Sequence, residues 1–263
     1  MIQKKSGKRE PRSASHASQL IKLPKPALPP SRSLARALQL RKTTREISAK
    51  ELPLQTLSNL LWAACGVNRR KGPFGIPGRT AASASNSQEI DVYVALEEGT
   101  YLYDPFHPWL VPVVAGDLRR LAIGRGQAEA GAEAPVRLVY VAAIDKLVHT
   151  SGYQEPGLRD PDVQRSYYYV DTGLIAANVY LFAASMGLAA WFHNCDKSQL
   201  STKLNLRKDQ RVLFGDGWIP HEETMIQSGP VQLVKVIAGW VGAWLGSPII
   251  GPWFEKSRSP TCS

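Results

Sequence analysis

A long helix, running from about Val163 to Met186 and closed by Gly187, limits what this chain can fold into. Aromatic residues (Tyr167, Tyr168, Tyr169, Tyr180, Phe182) and small ones (Gly173, Ala176, Ala177, Ala183, Ala184) are spread around its circumference. Apolar groups on every side imply burial on most of them. Such a helix suits the centre of a two-chain assembly better than the surface of one domain.

The elements around it are short. Leu52-Pro53-Leu54 opens a helix in which Leu54, Leu57, Leu60, Leu61 and Ala64 keep helical spacing, and Gly66 is placed to end it. A loop rich in Gly, Pro and Arg, Asn68 to Thr80, leads to eight small or polar residues, Ala81 to Gln88, and then into a strand, Ile90 to Leu96. Glu97-Glu98-Gly99-Thr100 turns the chain back through Tyr101-Leu102-Tyr103. Asp117 to Leu121 reads as a helical piece, Gly124 to Glu133 as a loop, and Val136 to Ala143 as a central, buried strand. After a polar loop (Gly152 to Asp162) and the long helix come a strand at Leu188 to Phe192, a helix at Ser198 to Leu204 and a strand at Arg211 to Phe214.

The net charge of +10 suggests an anionic polymer as partner, but its distribution argues against one. Residues 1–50 hold 13 Lys and Arg against Glu10 and Glu46, which makes +11, so the other 213 residues sum to −1. A nucleic-acid-binding fold carries its basic patch on the folded body. Residues 1–32 therefore read as a basic, disordered arm leading into an extended segment. The first twenty residues lack the apolar core of a secretory signal. Cys65, Cys195 and Cys262 form neither a metal spacing nor a disulfide framework, and Cys65 and Cys195 read as buried fillers. A reducing, cytoplasmic location is expected. From residue 221 the character changes: Val236 to Phe254 is uncharged and holds Trp240, Trp244 and Trp253. That length borders on a membrane span, but its glycines and prolines make an apolar arm on the domain or on a partner the preferred reading.

One segment carries chemistry by itself. Arg41-Lys42-Thr43-Thr44-Arg45 follows a short helix beginning at Ser33-Leu34, and its three cations and two hydroxyls suit a phosphate monoester. Arginine offers a planar fork to phosphate oxygens, and hydroxyls add donors. A solvated basic helix end is the plainer alternative.

Arg41-Lys42-Thr43-Thr44-Arg45 is similar to the Arg-x-Ser-x-Arg/Lys phosphate motif of the FMN-dependent nitroreductase family, with Thr43 for serine. Gly78-Arg79-Thr80-Ala81-Ala82-Ser83-Ala84-Ser85-Asn86-Ser87-Gln88 resembles that family's Pro-Ser-x-x-Asn-x-Gln flavin-ring motif, with Ala82 for proline. Leu57 to Ala64, Asp171-Thr172-Gly173 and Ala184 to Leu188 match in register, over roughly Leu34 to Pro220, and the wording is closest to SagB-type dehydrogenase domains. The resemblance implies an α+β fold over residues 33–220, a mostly antiparallel sheet flanked by helices, and a homodimer with FMN at its interface. It also implies NAD(P)H as donor and a nitroaromatic, quinone or similar small molecule as acceptor, with no metal. Arg41, Lys42, Thr43 and Arg45 would hold the phosphate, Ser83, Ala84 and Ser85 would admit the ring, and Asn86 would both donate to and accept from its edge. In the family a backbone N–H near flavin N5 comes from the segment Trp191 to Asn194, where His193 reads as incidental. The closing strand is only an echo, Gly217-Trp218-Ile219-Pro220, and the acidic His221-Glu222-Glu223 follows it. An azoline-oxidising SagB-like dehydrogenase and a flavin fold without turnover are the alternatives.

Overall fold

The computed structural model describes residues 19–28, 32–45, 50–127, 134–151 and 160–220, all within one compact unit that ends at His221. The tail before residue 19, the 221–263 extension and most of the 124–133 and 152–162 loops lie outside the described residues.

One antiparallel sheet organises the unit. Its strands are β1 (Ile21–Lys22), β4 (Ile90–Ala95), β5 (Gly99–Asp104), β6 (Trp109–Ala115), β7 (Val136–Ala143), β8 (Leu188–His193) and β9 (Gln210–Pro220), in the order β1-β6-β5-β4-β7-β9-β8. Every neighbouring pair is antiparallel, and helices complete an α+β fold. β7 is buried along its whole length because it pairs on both edges and is covered on both faces. β9 carries one extra residue at Leu213, a bulge between its pairings of Phe214 with Tyr140 and Val212 with Val141.

Helices α2 (Leu54–Cys65) and α4 (Pro161–Met186) cover one face of the sheet, where Leu57, Leu60, Leu61, Ile175, Val179 and Phe182 meet the inward side chains of β4 and β7. Helix α5 (Lys197–Lys203) covers the other through Leu200, with Leu118, Ala122, Val139 and Val212. Asp160 caps α4 by accepting from Asp162 N–H, and Gly187 ends it in the left-handed region at φ 68°. Gly66 ends α2 for a different reason. Its backbone is extended, but a Cβ there would stand 2.5 Å from the Trp62 side chain.

Three expectations change. Asp117 to Leu121 is a turn, not a helix, because the Asp117 carboxylate accepts Arg119 N–H and grips its guanidinium, a local alternative to helical bonding. The 68–80 loop contains a ribbon, β2 (Val67–Arg69) paired with β3 (Gly78–Arg79). Residues 20–28, grouped with the arm on charge, belong to the body: β1 pairs with β6, Leu23 is buried, and Asn59 on α2 brackets Ala27 by accepting its N–H and donating to its carbonyl. Helix α4, expected at the centre of a two-chain assembly, is covered on one side by the described residues of its own chain. Tyr169, Val170, Gly173, Leu174 and Ala177 remain exposed as an apolar stripe, Val170 by 60%.

Two short helices complete the unit, α1 (Leu34–Leu40) and α3 (Ile144–Val148). Cys65 and Cys195 are buried free thiols, as expected of fillers, and burial pushes both up to about 11. Among the described residues no helix is long and apolar enough to cross a membrane.

Candidate functional site

The cationic pentad lies along the outer edge of β8. Arg41 N–H closes α1 on the Ala37 carbonyl, and three residues later Thr44 N–H donates to the Ala190 carbonyl, which tethers the pentad to the sheet's last strand. Thr43 Oγ1 and the Tyr180 hydroxyl of α4 stand 3.1 Å apart, and the same hydroxyl accepts Phe192 N–H at 2.9 Å. The Arg41 guanidinium lies over the Tyr180 ring at 5.7 Å, and that of Arg45 over the Trp191 ring at 5.8 Å. Side chains alternate along a strand, so Trp191 and Phe192 point to opposite faces. Arg41 and Thr43 are therefore on the α4 side and Arg45 is on the other. Arg41, Lys42, Thr43 and Arg45 are exposed, and none of the three cations enters an ion pair among the described residues.

The second motif is a tight loop fastened from beneath. Ser85, Asn86 and Gln88 all have positive φ (49°, 56° and 54°), an unfavourable conformation for residues with a Cβ. The strain is held by hydrogen bonds. Ala84 N–H donates to Asp171 Oδ2 at 2.8 Å, Gln88 N–H to Ser83 Oγ at 3.0 Å, and Thr150 Oγ1 to the Ser85 carbonyl. The Asn86 amide, expected to face a ligand, is turned inward instead. Its Nδ2 donates to the Ile76 and Pro73 carbonyls and its Oδ1 accepts from Gln88 Nε2. Below the loop Ser87 Oγ donates to Glu89 Oε2 at 2.6 Å. Glu89 is fully buried beside the buried Asp171; desolvation, then that second carboxyl, raise it to about 7, and desolvation raises Asp171 also.

The two motifs meet α4 at different places. Asp171 holds the loop and Tyr180 holds the pentad. Nine residues of helix turn through two and a half revolutions, so these side chains leave on opposite flanks, roughly 13 Å apart along the axis. Between the flanks runs the exposed apolar stripe. A groove of about 400 Å³ opens beside it between α1, α2 and α4, with Trp62, Thr80, Asn178, Leu181 and Ser185 among its lining.

His193 takes no part in this surface. It is 4% exposed on the face away from α4, where Arg137 Nη1 donates to its Nε2 at 3.1 Å and its Nδ1 donates to the Asn194 carbonyl. Burial, reinforced by the guanidinium, holds it near 4 and so neutral. The Phe192 N–H, within the segment expected to face flavin N5, is taken by Tyr180. Sequence reasoning missed Tyr180 and Glu89 as parts of these sites. In the sequence Tyr180 reads as bulk in an aromatic helix, and the signal it offers is a polar-tipped ring among alanines. Glu89, an acid opening an apolar strand, was another.

The fold, with its edge-bound cationic segment and strained loop, is that of an α+β oxidoreductase. The sequence profile described as the Nitroreductase family matches residues 38–219. The chain belongs to the nitroreductase family and is an oxidoreductase of the nitroreductase type. A Methanocaldococcus jannaschii protein provisionally named a nitroreductase is 30% identical over 155 residues, which is 56% of this chain and 71% of that one. A crystal structure from Ralstonia eutropha JMP134, also provisionally titled a nitroreductase, is 36% identical with a TM-score of 0.66, covering 78% of this chain and 90% of that one. The Escherichia coli microcin synthetase McbBCD complex, solved with truncated pro-MccB17 bound, shares the fold at 17% identity and a TM-score of 0.51, over 83% of this chain and 76% of its own.

Proposed function

We propose that the protein is an FMN-dependent oxidoreductase that uses NAD(P)H to reduce nitroaromatics, quinones or similar electron-poor small molecules. We also propose that it works as a homodimer with FMN held where two chains meet. The observation that carries this reading is the placement of the two motifs on opposite flanks of α4, with an uncovered apolar stripe between them. One chain cannot bring its own pentad to its own loop around the helix. A second copy packed on the stripe brings the pentad of one chain toward the loop of the other.

The residues fit the cofactor's two ends. Arg41 and Lys42 supply cations with no ion-pair partner among the described residues, the Thr43 hydroxyl supplies a donor for a phosphate, and Thr43 is fixed at 3.1 Å from a side chain of the body. Ser83, Ala84 and Ser85 present small side chains on a pre-strained backbone that can approach a flat ring closely. Gly173, on the stripe, has nothing within 4 Å of where its Cβ would be, which leaves room for a neighbour. When bound, the flavin carries hydride from nicotinamide to acceptor, so the chain needs no acid–base pair of its own. Its tasks are to bind, to orient and to exclude water.

The test is an absorbance spectrum of the purified protein, followed by anaerobic titration with NADH and NADPH. A flavin spectrum that bleaches with either donor and recovers on adding a nitroaromatic or quinone is expected. Protein that stays colourless after soaking in FMN overturns the reading. A bound flavin that stays oxidised under both donors moves it to the azoline-oxidising alternative.

A further inference from the structure

We propose that Tyr180 is the positioning residue of the phosphate site: its hydroxyl fixes which way the Thr43 proton points, and its ring seats Arg41. The inference rests on the phosphate reading of the pentad and assigns the side chain that makes the pentad a preformed receptor.

The polarity follows from counting donors. Phe192 N–H can only donate, so the Tyr180 oxygen, 2.9 Å away, accepts. Tyr180 has one proton of its own, and Thr43 Oγ1 at 3.1 Å is the acceptor within reach. Were Thr43 to donate instead, the Tyr180 oxygen would receive two hydrogen bonds and its own proton would be left to solvent. The satisfied arrangement runs Phe192 N–H to Tyr180 O–H to Thr43 Oγ1. Thr43, already accepting, then aims its own proton away from the body and toward solvent, where an anion would sit. Neighbouring dipoles in such a chain also polarise one another.

The same ring does a second task. Arg41 is exposed and its guanidinium lies 5.7 Å from the Tyr180 centroid, an arrangement that restricts a long side chain without using its N–H donors. Those donors stay available to an anion. One tyrosine therefore pre-orders a hydroxyl and a guanidinium on the same side of the sheet edge, so ordering them on binding costs less.

The test uses two ligands that differ by the phosphate alone, FMN and riboflavin, with affinities for the full-length chain read from quenching of flavin fluorescence. Tyr180→Phe removes the hydroxyl and keeps the ring. It should weaken FMN about three- to ten-fold and leave riboflavin within about two-fold of wild type. Tyr180→Leu also removes the Arg41 platform and should weaken FMN further, again sparing riboflavin. Thr43 is exposed, so Thr43→Val leaves the fold intact; it should erode the preference for FMN, and adding Tyr180→Phe to it should do little more. A merely structural role would lower both affinities together. A wild type that prefers FMN and a Tyr180→Phe variant that keeps the full preference overturn the role of Tyr180 alone. If that variant melts early, retention of the preference by Thr43→Val overturns the role instead. Equal affinity of the wild type for the two flavins overturns the phosphate reading itself.

Discussion

Glu89 stands against Asp171 beneath the 83–88 loop, two buried carboxyls with Ser87 Oγ on the first and Ala84 N–H on the second. Burial first, and then the neighbouring carboxyl, disfavour the charged form, so the Glu89 proton stays on to about 7 instead of leaving near 4.5. Between those values the folded chain holds a proton that the unfolded chain has lost, so stability falls as pH rises. His193 does the reverse. Its value drops from 6.5 to about 4, so the unfolded chain holds the extra proton and stability falls as pH falls. The two slopes oppose one another between pH 4.5 and 6.5. Wild-type stability, measured by urea unfolding, should be nearly level there. Glu89→Gln should remove one slope and leave a protein that loses stability on acidification through that window. A Glu89→Gln profile as flat as wild type would refute the assignment.

The two arginines of the pentad should not be equivalent. Arg41 shares a side of the sheet edge with Thr43, whereas Arg45 sits over Trp191 on the other. Charge-assisted hydrogen bonds contribute about 1.5–3 kcal/mol each, so Arg41→Gln should weaken FMN roughly ten- to a hundred-fold. Arg45→Gln should cost less, a few-fold at most, mainly through lost long-range attraction. Fluorescence titration of the two variants gives the ranking, and an equal or reversed order would show that bound phosphate draws Arg45 around the edge.

Much of this was legible in advance because it rests on local pattern. The α2 leucines, the β4–β5 hairpin, β7 and the Gly187 stop each follow from spacing within a few residues, and α4 reads two residues short. The helix expected at 117–121 was lost to one carboxylate, since Asp117 bonds the backbone two residues on. Charge misled for residues 20–28, because Lys22 and Lys25 lie in a segment that Leu23 and Asn59 fasten to the body. The inward turn of Asn86 could not be seen beforehand: its partners, the Pro73 and Ile76 carbonyls, exist only once the 67–79 ribbon has folded over it.

The uncovered stripe on α4 gives a prediction about assembly. Val170 and Leu174 are 60% and 41% exposed and lie one turn apart, so a charged side chain at either disturbs nothing within a chain. In a dimer packed on that stripe it buries an unpaired charge. Leu174→Arg should sediment as a monomer, keep its thermal stability to within a few degrees, and lose bound flavin. A variant that remains dimeric would place the interface elsewhere, and one that is monomeric but yellow would break the link between dimer and cofactor.

Asn86 allows the ring end to be tested apart from the phosphate end. Its amide joins the strained 83–88 loop to the 73–77 segment through two donated bonds, to the Pro73 and Ile76 carbonyls, and accepts a third from Gln88 within the loop. Asn86 itself sits at φ 56°, a region asparagine tolerates better than alanine. Asn86→Ala therefore removes the fastening and adds backbone strain. Asn86→Gly removes the same bonds but relieves the strain. Both should loosen the surface that meets the flavin ring and weaken FMN and riboflavin alike, by about ten-fold for alanine and less for glycine. Equal loss for the two flavins is the signature of a ring contact, since pentad variants should affect FMN only. If Asn86→Ala reduced FMN affinity while sparing riboflavin, the loop would be serving the phosphate, and the division of labour between the two flanks of α4 would be wrong.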